Sequence, residues 1–325
     1  SLLHGKLVIC SEYCTQREHW LLRAQVVRCA ITLAFVRAPQ RTRTAAVAPR
    51  LRRVLDAFAA ERVGVQHFAS VSGYGHGDQG REVIDRVFAR VLGAEAAAVR
   101  LQFVSGTHAI AAALFGVLRP GDRMVSITGR PYDTLEEVIG LRGEGQGSLK
   151  DFGVAYEELL LRPDGSVDEQ GVEQVLDQPC QLVLIQRSCG YSWRPSLSVQ
   201  TIGRLCERIH RLQPDCICFV DNCYGELVEE QEPPAVGADL VAGSLIKNLG
   251  GTIAPAGGYV AGRSDLVEQH HCSNALRMTL LRVPSQFSAA GLCQVKSRLL
   301  SLPGKRFDRK LPPKLQGNTA EYERR

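Results

Sequence analysis

The chain has 325 residues, of which 45% are apolar and 22% are charged. This composition is ordinary for a globular protein and excludes a fibrous or largely disordered chain. The longest apolar stretches, such as residues 110–118, are too short to span a bilayer, and no cleavable signal pattern opens the sequence. We therefore expect a cytoplasmic protein with no membrane partner.

The net charge of +5 is distributed unevenly along the chain. Residues 1–53 and residues 269–325 each carry a net charge of +8, whereas the residues between them carry −11. Basic flanks can bind nucleic acid, but neither flank interleaves aromatics with its charges or matches a nucleic-acid module. We therefore expect no nucleic-acid partner, and we interpret the N-terminal flank as a targeting segment or non-native sequence.

Short apolar runs alternate with segments of helical periodicity from about residue 54 onward. The periodic segments predict helices over residues 82–92, 107–118, 134–140, 167–176 and 198–212. The apolar runs predict strands over residues 98–103, 123–128, 181–186, 216–221, 239–244 and 257–262. Nearly continuous apolar strands are typical of a parallel sheet with helices on both faces. We therefore predict an α/β fold with a mostly parallel sheet.

Residues with useful chemistry follow three of the predicted strands, and ligands bind at the carboxyl ends of strands in open α/β sheets. Asp221 ends one strand, Lys247 follows another, and residues 105–107 begin a helix after a third. Burial is expected to lower the pKa of Lys247 and make its amine a nucleophile toward carbonyls. The carboxylate of Asp221 could pair with the pyridine nitrogen of pyridoxal 5′-phosphate (PLP). The helix N-terminus offers N–H groups to the phosphate.

The eleven cysteines are odd in number and follow no regular framework, so we expect reduced thiols. Cys216, Cys218 and Cys223 lie close enough in sequence to suggest a metal site. However, the first two alternate within an apolar strand, and structural zinc usually requires two paired cysteine motifs. We therefore expect these cysteines to pack in the core and predict no metal site.

Five blocks of the central sequence carry a resemblance to a known family. They are SGTHAI (105–110), GRPYDTLEEVIG (129–140), QRSCGYSWRPSLS (186–198), FVDNCYGELVE (219–229) and GADLVAGSLIKNLGG (237–251). Together they resemble the methionine gamma-lyase family, also called the aluminium resistance protein family, whose members are PLP-dependent enzymes of fold type I. The resemblance covers roughly residues 54–268. It implies PLP as cofactor, a small amino-acid substrate and a homodimer or homotetramer.

The resemblance also implies roles for individual residues. Lys247 would hold the cofactor covalently and later move protons at the substrate carbons, and Asp221 would bind the pyridine nitrogen. Tyr132 would stack on the ring and assist proton transfer to a leaving group. Tyr74 and Arg81 would reach the phosphate of a neighbouring subunit. Small residues at the ends of two strands would bind the phosphate of the same subunit: Ser105, Gly106, Thr107 and Ser244.

We therefore expect a carbon–sulfur lyase acting on a sulfur-containing amino acid, with residues 54–268 as its PLP-binding large domain. Residues 269–325 do not resemble the small C-terminal domain of the family. We expect that domain to be missing or replaced by a divergent basic tail, which could leave the fragment inactive. Two alternatives stay open, namely another fold type I reaction, such as transsulfuration or transamination, and a non-catalytic remnant that binds PLP.

Overall fold

A computed structural model describes residues 40–69, 78–143, 147–190, 192–250 and 253–271. Helix α1 (Gln40–Ala60) comes first and is followed by a short 3-10 helix (Val65–Phe68). The helix α1 runs through position 53, where the sequence analysis placed the end of the basic flank. None of the helices in these ranges is both long and apolar enough to cross a membrane.

Helices and strands alternate through the rest of the described chain. The further helices are α2 (Gln79–Leu92), α3 (Gly106–Val117), α4 (Asp133–Ile139), α5 (Glu169–Val175), α6 (Val199–Leu212) and α7 (Ser264–His271), with a second 3-10 helix at Pro233–Val236. The strands are β1 (Ala96–Arg100), β2 (Arg123–Ser126), β3 (Ala155–Glu158), β4 (Leu182–Gln186), β5 (Ile217–Asp221), β6 (Leu240–Ser244) and β7 (Gly258–Gly262).

The strands form one seven-stranded sheet in the order β1-β7-β6-β5-β4-β2-β3. The strands β3, β2, β4, β5 and β6 pair in parallel. The strand β7 runs antiparallel to both of its neighbours, β6 and β1. The prediction of a mostly parallel α/β sheet is therefore confirmed.

Helices cover both faces of this sheet. In β4, Leu182 and Leu184 pack on one face with the apolar residues of α3, whereas Val183 and Ile185 pack on the other face with α2, α5 and α6. Successive side chains of a strand point to opposite faces, so a strand buried on both faces needs apolar residues throughout. The polar residues of the sheet are consequently concentrated where the strands end.

Four elements differ from the sequence prediction. The edge strand β3 was not predicted, because its residues AYEE alternate between exposed and partly buried positions and form no apolar run. Two helices, α1 and α7, were also not predicted. The first contains a proline, Pro49, and has few core positions, and the second lies beyond the region of clear periodicity. The strand β1 ends at Arg100, three residues before the predicted end, and Leu101 after it is exposed.

Candidate active site

The two residues expected at the centre of the site lie at the same edge of the sheet. Asp221 is the last residue of β5, and Lys247 follows the last residue of β6 by three positions. The two strands are parallel neighbours, with Asp221 paired to Ala242. Because parallel strands end at one edge, the loops that leave β5 and β6 begin side by side.

Asp221 is a buried carboxylate, with 2% of its surface exposed. Its Oδ1 accepts a hydrogen bond of 3.1 Å from the backbone N–H of Cys223. Burial raises the pKa of the Asp221 carboxyl, while the hydrogen bonds from Cys223 and the charge of Lys247 oppose that rise. A positive charge is therefore the partner that best stabilises the ionised form of Asp221 here.

Lys247 is half-buried, and its Nζ lies 4.2 Å from the centre of the Tyr224 ring. Burial lowers the pKa of Lys247, but Cys223, Asp221 and Tyr224 together outweigh it, so that the pKa lies above its ordinary value. The lowered pKa expected from the sequence is therefore wrong for this structure. The prediction considered the buried strand but not the neighbouring Asp221 carboxylate and the Cys223 and Tyr224 side chains.

A tight turn after β5 places the groups around Lys247. Tyr224 adopts a left-handed conformation with φ of +68°, which is uncommon for a residue other than glycine. The side-chain amide of Asn248 donates hydrogen bonds of 3.0 Å to the carbonyl oxygens of Tyr224 and Glu226. These bonds tie the segment that carries Lys247 to the turn that follows Asp221.

Cys223 lies between the two predicted residues. It is buried, as expected from the sequence, and its backbone N–H donates to Asp221. Burial, followed by the charge of Asp221, raises the pKa of the thiol well above its usual value. Cys223 therefore places a neutral thiol at the centre of the candidate site.

The N-terminus of α3 approaches this centre very closely. A Cβ atom at Gly106 would lie 2.9 Å from the Cβ of Ser244 and 3.2 Å from the Sγ of Cys223, so only glycine fits without displacing a neighbour. The Ser105 hydroxyl accepts a hydrogen bond from the backbone N–H of His108. The other first-turn N–H groups of a helix have no partner within the helix, and they carry the positive end of its dipole. This donor set fits the phosphate of PLP.

Tyr132 joins the site through its hydroxyl, which lies 3.1 Å from the Oγ1 of Thr107. It immediately precedes α4 and is partly buried. Burial, followed by the charge of Asp221, raises the pKa of Tyr132 well above its usual value. The phenol therefore keeps its proton at neutral pH and can act as a hydrogen-bond or proton donor.

The structure thus brings seven of the nine predicted site residues to one edge of the sheet: Ser105, Gly106, Thr107, Tyr132, Asp221, Ser244 and Lys247. Arg81 lies in the first turn of α2, where its Nε is 3.6 Å from the Oδ2 of Asp78. Tyr74 lies outside the described residues. The role proposed for these two residues at a neighbouring subunit stays a prediction.

Sequence reasoning missed three residues that contact Lys247 or hold its loop in place, namely Cys223, Tyr224 and Asn248. All three lie within three positions of Asp221 or next to Lys247, so closeness in sequence was the available signal. The hydrogen bonds that join the two loops depend on the left-handed turn at Tyr224, which no motif in the sequence marks.

Comparisons with known proteins show which family the chain resembles. A family model described as methionine gamma-lyase matches residues 32–289. The uncharacterised protein YnbB of Bacillus subtilis is 49% identical over 217 residues, which are 66% of this chain and 52% of YnbB. An uncharacterised 33.9 kDa protein of Lactobacillus delbrueckii is 44% identical over 151 residues, 46% of this chain and 48% of that protein. The chain spans about half the length of the curated relatives it matches.

Two solved structures are similar over a larger part of the chain. The first is a proposed cystathionine beta-lyase involved in aluminium resistance from Listeria monocytogenes. It is 47% identical with a TM-score of 0.71, and the match covers 74% of this chain and 58% of that one. The second is a carbon–sulfur lyase involved in aluminium resistance from Clostridium novyi. It is 42% identical with a TM-score of 0.71, and the match covers 82% of this chain and 65% of that one.

Proposed function

The chain belongs to the methionine gamma-lyase family, and on that premise we propose that it is a PLP-dependent carbon–sulfur lyase acting on a sulfur-containing amino acid. The family and the fold type I α/β fold predicted from the sequence blocks are both confirmed. The substrate, the reaction and the bound cofactor are parts of the proposal.

The observation that carries the proposal is that Asp221 and Lys247 follow two parallel neighbouring strands to the same edge of the sheet, beside the N-terminus of α3. PLP has an aldehyde, a pyridine nitrogen and a phosphate at separate positions of one ring. An amine, a buried carboxylate and a glycine-opened helix N-terminus at one edge of a sheet match these three groups in chemical type.

PLP, when bound, supplies an electron sink that stabilises negative charge at the α-carbon of an amino acid. In our proposal, Asp221 would hold the pyridine nitrogen of the cofactor, and Lys247 would move protons at the substrate carbons. Tyr132, which keeps its proton because its pKa is raised, donates toward the departing sulfur. The phosphate would be held by four small residues, Ser105, Gly106, Thr107 and Ser244.

We also propose that the protein works in the cytoplasm as a homodimer or homotetramer, in which Tyr74 and Arg81 reach the phosphate of the neighbouring subunit. Family membership supports this part of the proposal. A sedimentation experiment on the purified chain, alone and with PLP, would test it, and a monomer under both conditions would contradict it.

The reaction is tested by incubating the purified chain with PLP and sulfur-containing amino acids. We expect release of a thiol together with a 2-oxo acid and ammonia in equal amounts. Transfer of the amino group to an added 2-oxo acid without thiol release would favour transamination instead. PLP binding without any turnover would favour the non-catalytic remnant.

A further inference from the structure

A second cluster of reactive side chains lies at the opposite edge of the sheet from Lys247. It consists of His210 near the end of α6, Cys218 near the start of β5 and Asp239 immediately before β6. One nitrogen, one sulfur and one oxygen atom of these residues all lie within 4.8 Å of one another. In the described part of the chain, no other group of three histidine, cysteine or acidic residues is as compact.

The carboxylate of Asp239 holds the cluster together. Its Oδ2 lies 2.8 Å from the Nε2 of His210 and accepts a hydrogen bond of 2.8 Å from the backbone N–H of Cys218. Its Oδ1 lies 3.4 Å from the Nη1 of Arg263. The Cys218 thiol has the thiol of Cys206 as a neighbour, and Cys206 lies one helical turn before His210.

The ring of His210 faces the other two side chains of the cluster, with Nε2 lying 2.8 Å from the Oδ2 of Asp239. Histidines that bind metals usually donate one ring N–H to a backbone carbonyl or a carboxylate, which fixes the ring and leaves the other nitrogen for the metal. His210 therefore presents Nε2 toward Cys218 and Asp239.

We propose that His210, Cys218 and Asp239 bind a single zinc ion. Nitrogen, thiolate and carboxylate ligands are those that zinc takes in proteins, and zinc sites with three protein ligands complete their coordination with water. The side chain of His210 is 30% exposed, which leaves a path for the ion and the water. Arg263 would keep its hydrogen bond to Oδ1, as partners behind ligating carboxylates commonly do.

Binding requires one proton to leave Nε2 of His210, which donates to the Asp239 carboxylate, and a second proton to leave the Cys218 thiol. The neighbouring Cys206 thiol and burial raise the pKa of the Cys218 thiol well above its usual value. Zinc would displace both protons and bind the imidazole nitrogen and the thiolate, as it does in other histidine and cysteine sites. The two negative ligands then balance the charge of the ion. The bound ion would connect α6 to β5 and to the start of β6, away from the edge that carries Lys247.

Cobalt(II) is the probe that reports thiolate ligation directly. We would treat the purified full chain with a chelator, titrate it with cobalt(II) and then displace the cobalt with zinc. The expected result is a thiolate-to-cobalt charge-transfer band that zinc abolishes, together with a rise in melting temperature on zinc addition. His210→Ala and Cys218→Ser should each weaken metal binding at least about tenfold.

Cys216→Ser is the matched control, because Cys216 is also a buried cysteine of this region and is not one of the three clustered residues. It should keep the band. A missing band in the parent chain, or an equally strong band in Cys218→Ser, would overturn the proposal. If circular dichroism shows that Cys218→Ser fails to fold, His210→Ala decides, because its side chain is partly exposed. Unchanged zinc affinity in that variant would likewise overturn the proposal.

Discussion

Asp221 ends β5 and Lys247 follows β6, so the parallel pairing of these strands brings both residues to the same edge of the sheet. The backbone N–H of Cys223 donates to Asp221, and the side chain of Asn248 donates to the turn after Asp221 and so ties the segment of Lys247 to it. The position of the amine relative to the carboxylate is therefore fixed by hydrogen bonds between loops as well as by the sheet. Each of these side chains can therefore be tested by a separate substitution.

Replacing Asp221 with asparagine should weaken PLP binding. The change removes the only charge that we assign to the pyridine nitrogen, and a hydrogen bond to a charged group is worth about 1.5–3 kcal/mol. We expect a loss of affinity of about tenfold or more, measured by PLP titration in absorbance or fluorescence. Asp56→Asn, which removes an exposed carboxylate paired with Arg52, serves as the control and should bind normally. Equal affinities for the two variants would argue against the role of Asp221.

Tyr132→Phe should reduce turnover and leave PLP binding largely intact. The variant removes the hydroxyl that lies 3.1 Å from Thr107 and that we propose as the proton donor to the leaving group. A positioned general acid typically contributes about 100-fold to 10,000-fold to the rate. Tyr156→Phe is the matched control, because Tyr156 is a partly buried tyrosine in β3 whose hydroxyl donates to Glu158. Parallel kcat measurements compare the two, and the same small effect in both would contradict the assignment.

Gly106→Ala should destabilise the protein and weaken phosphate binding together. The new Cβ would lie 2.9 Å from the Cβ of Ser244, so either the helix or the end of β6 must move. Overpacking of this kind typically costs about 1–3 kcal/mol. Urea unfolding measures the first effect, and competition between inorganic phosphate and PLP measures the second. A variant with parent-like stability and phosphate affinity would mean that the close approach is not needed.

Glu226 should make stability depend on pH. Its carboxyl is 1% exposed and accepts a hydrogen bond from Tyr259, and burial raises its pKa from 4.5 to about 7. A pKa raised in the folded state contributes stability that is present below about pH 4.5 and is lost as the pH rises through about 7. As the pH rises from about 4.5 to above 7, the free energy of unfolding of Glu226→Gln should therefore increase relative to that of the parent by up to about 3 kcal/mol.

Urea unfolding of both proteins at a series of pH values tests this expectation. The comparison uses the change with pH and not the absolute difference, because glutamine also alters the hydrogen bond to Tyr259. A difference between parent and variant that stays constant from about pH 4.5 to about pH 8 would contradict a raised pKa at Glu226.

The sequence was sufficient for the core of the fold because burial on both faces leaves a continuous apolar signal. The strand predicted over 216–221 is found at Ile217–Asp221, and the helix predicted over 198–212 is found at Val199–Leu212. The edge strand at Ala155–Glu158 gave no such signal, since half of its residues are exposed. The boundary of β1 was also missed, because Phe103 is buried without belonging to the strand.

The sequence predicted which residues lie together at this edge of the sheet, but not the direction of the pKa shift at Lys247. Asp221 and Lys247 could be placed at one edge because parallel strands end there together. The raised pKa of Lys247 could not be predicted, because it depends on neighbours that the left-handed turn at Tyr224 brings near the amine. The hydroxyl contact between Tyr132 and Thr107 likewise depends on how α4 packs beside α3.

Covalent mapping of the cofactor tests the central claim most directly. The described residues contain two lysines, the exposed Lys150 and the half-buried Lys247. The purified chain would be incubated with PLP, reduced with borohydride, digested and analysed by mass spectrometry, with Lys150→Ala as the control variant. We expect one pyridoxyl group on Lys247 in the parent and the control, and none in Lys247→Ala. A pyridoxyl group found mainly on other lysines, or equal labelling of Lys247→Ala and the parent, would contradict the account.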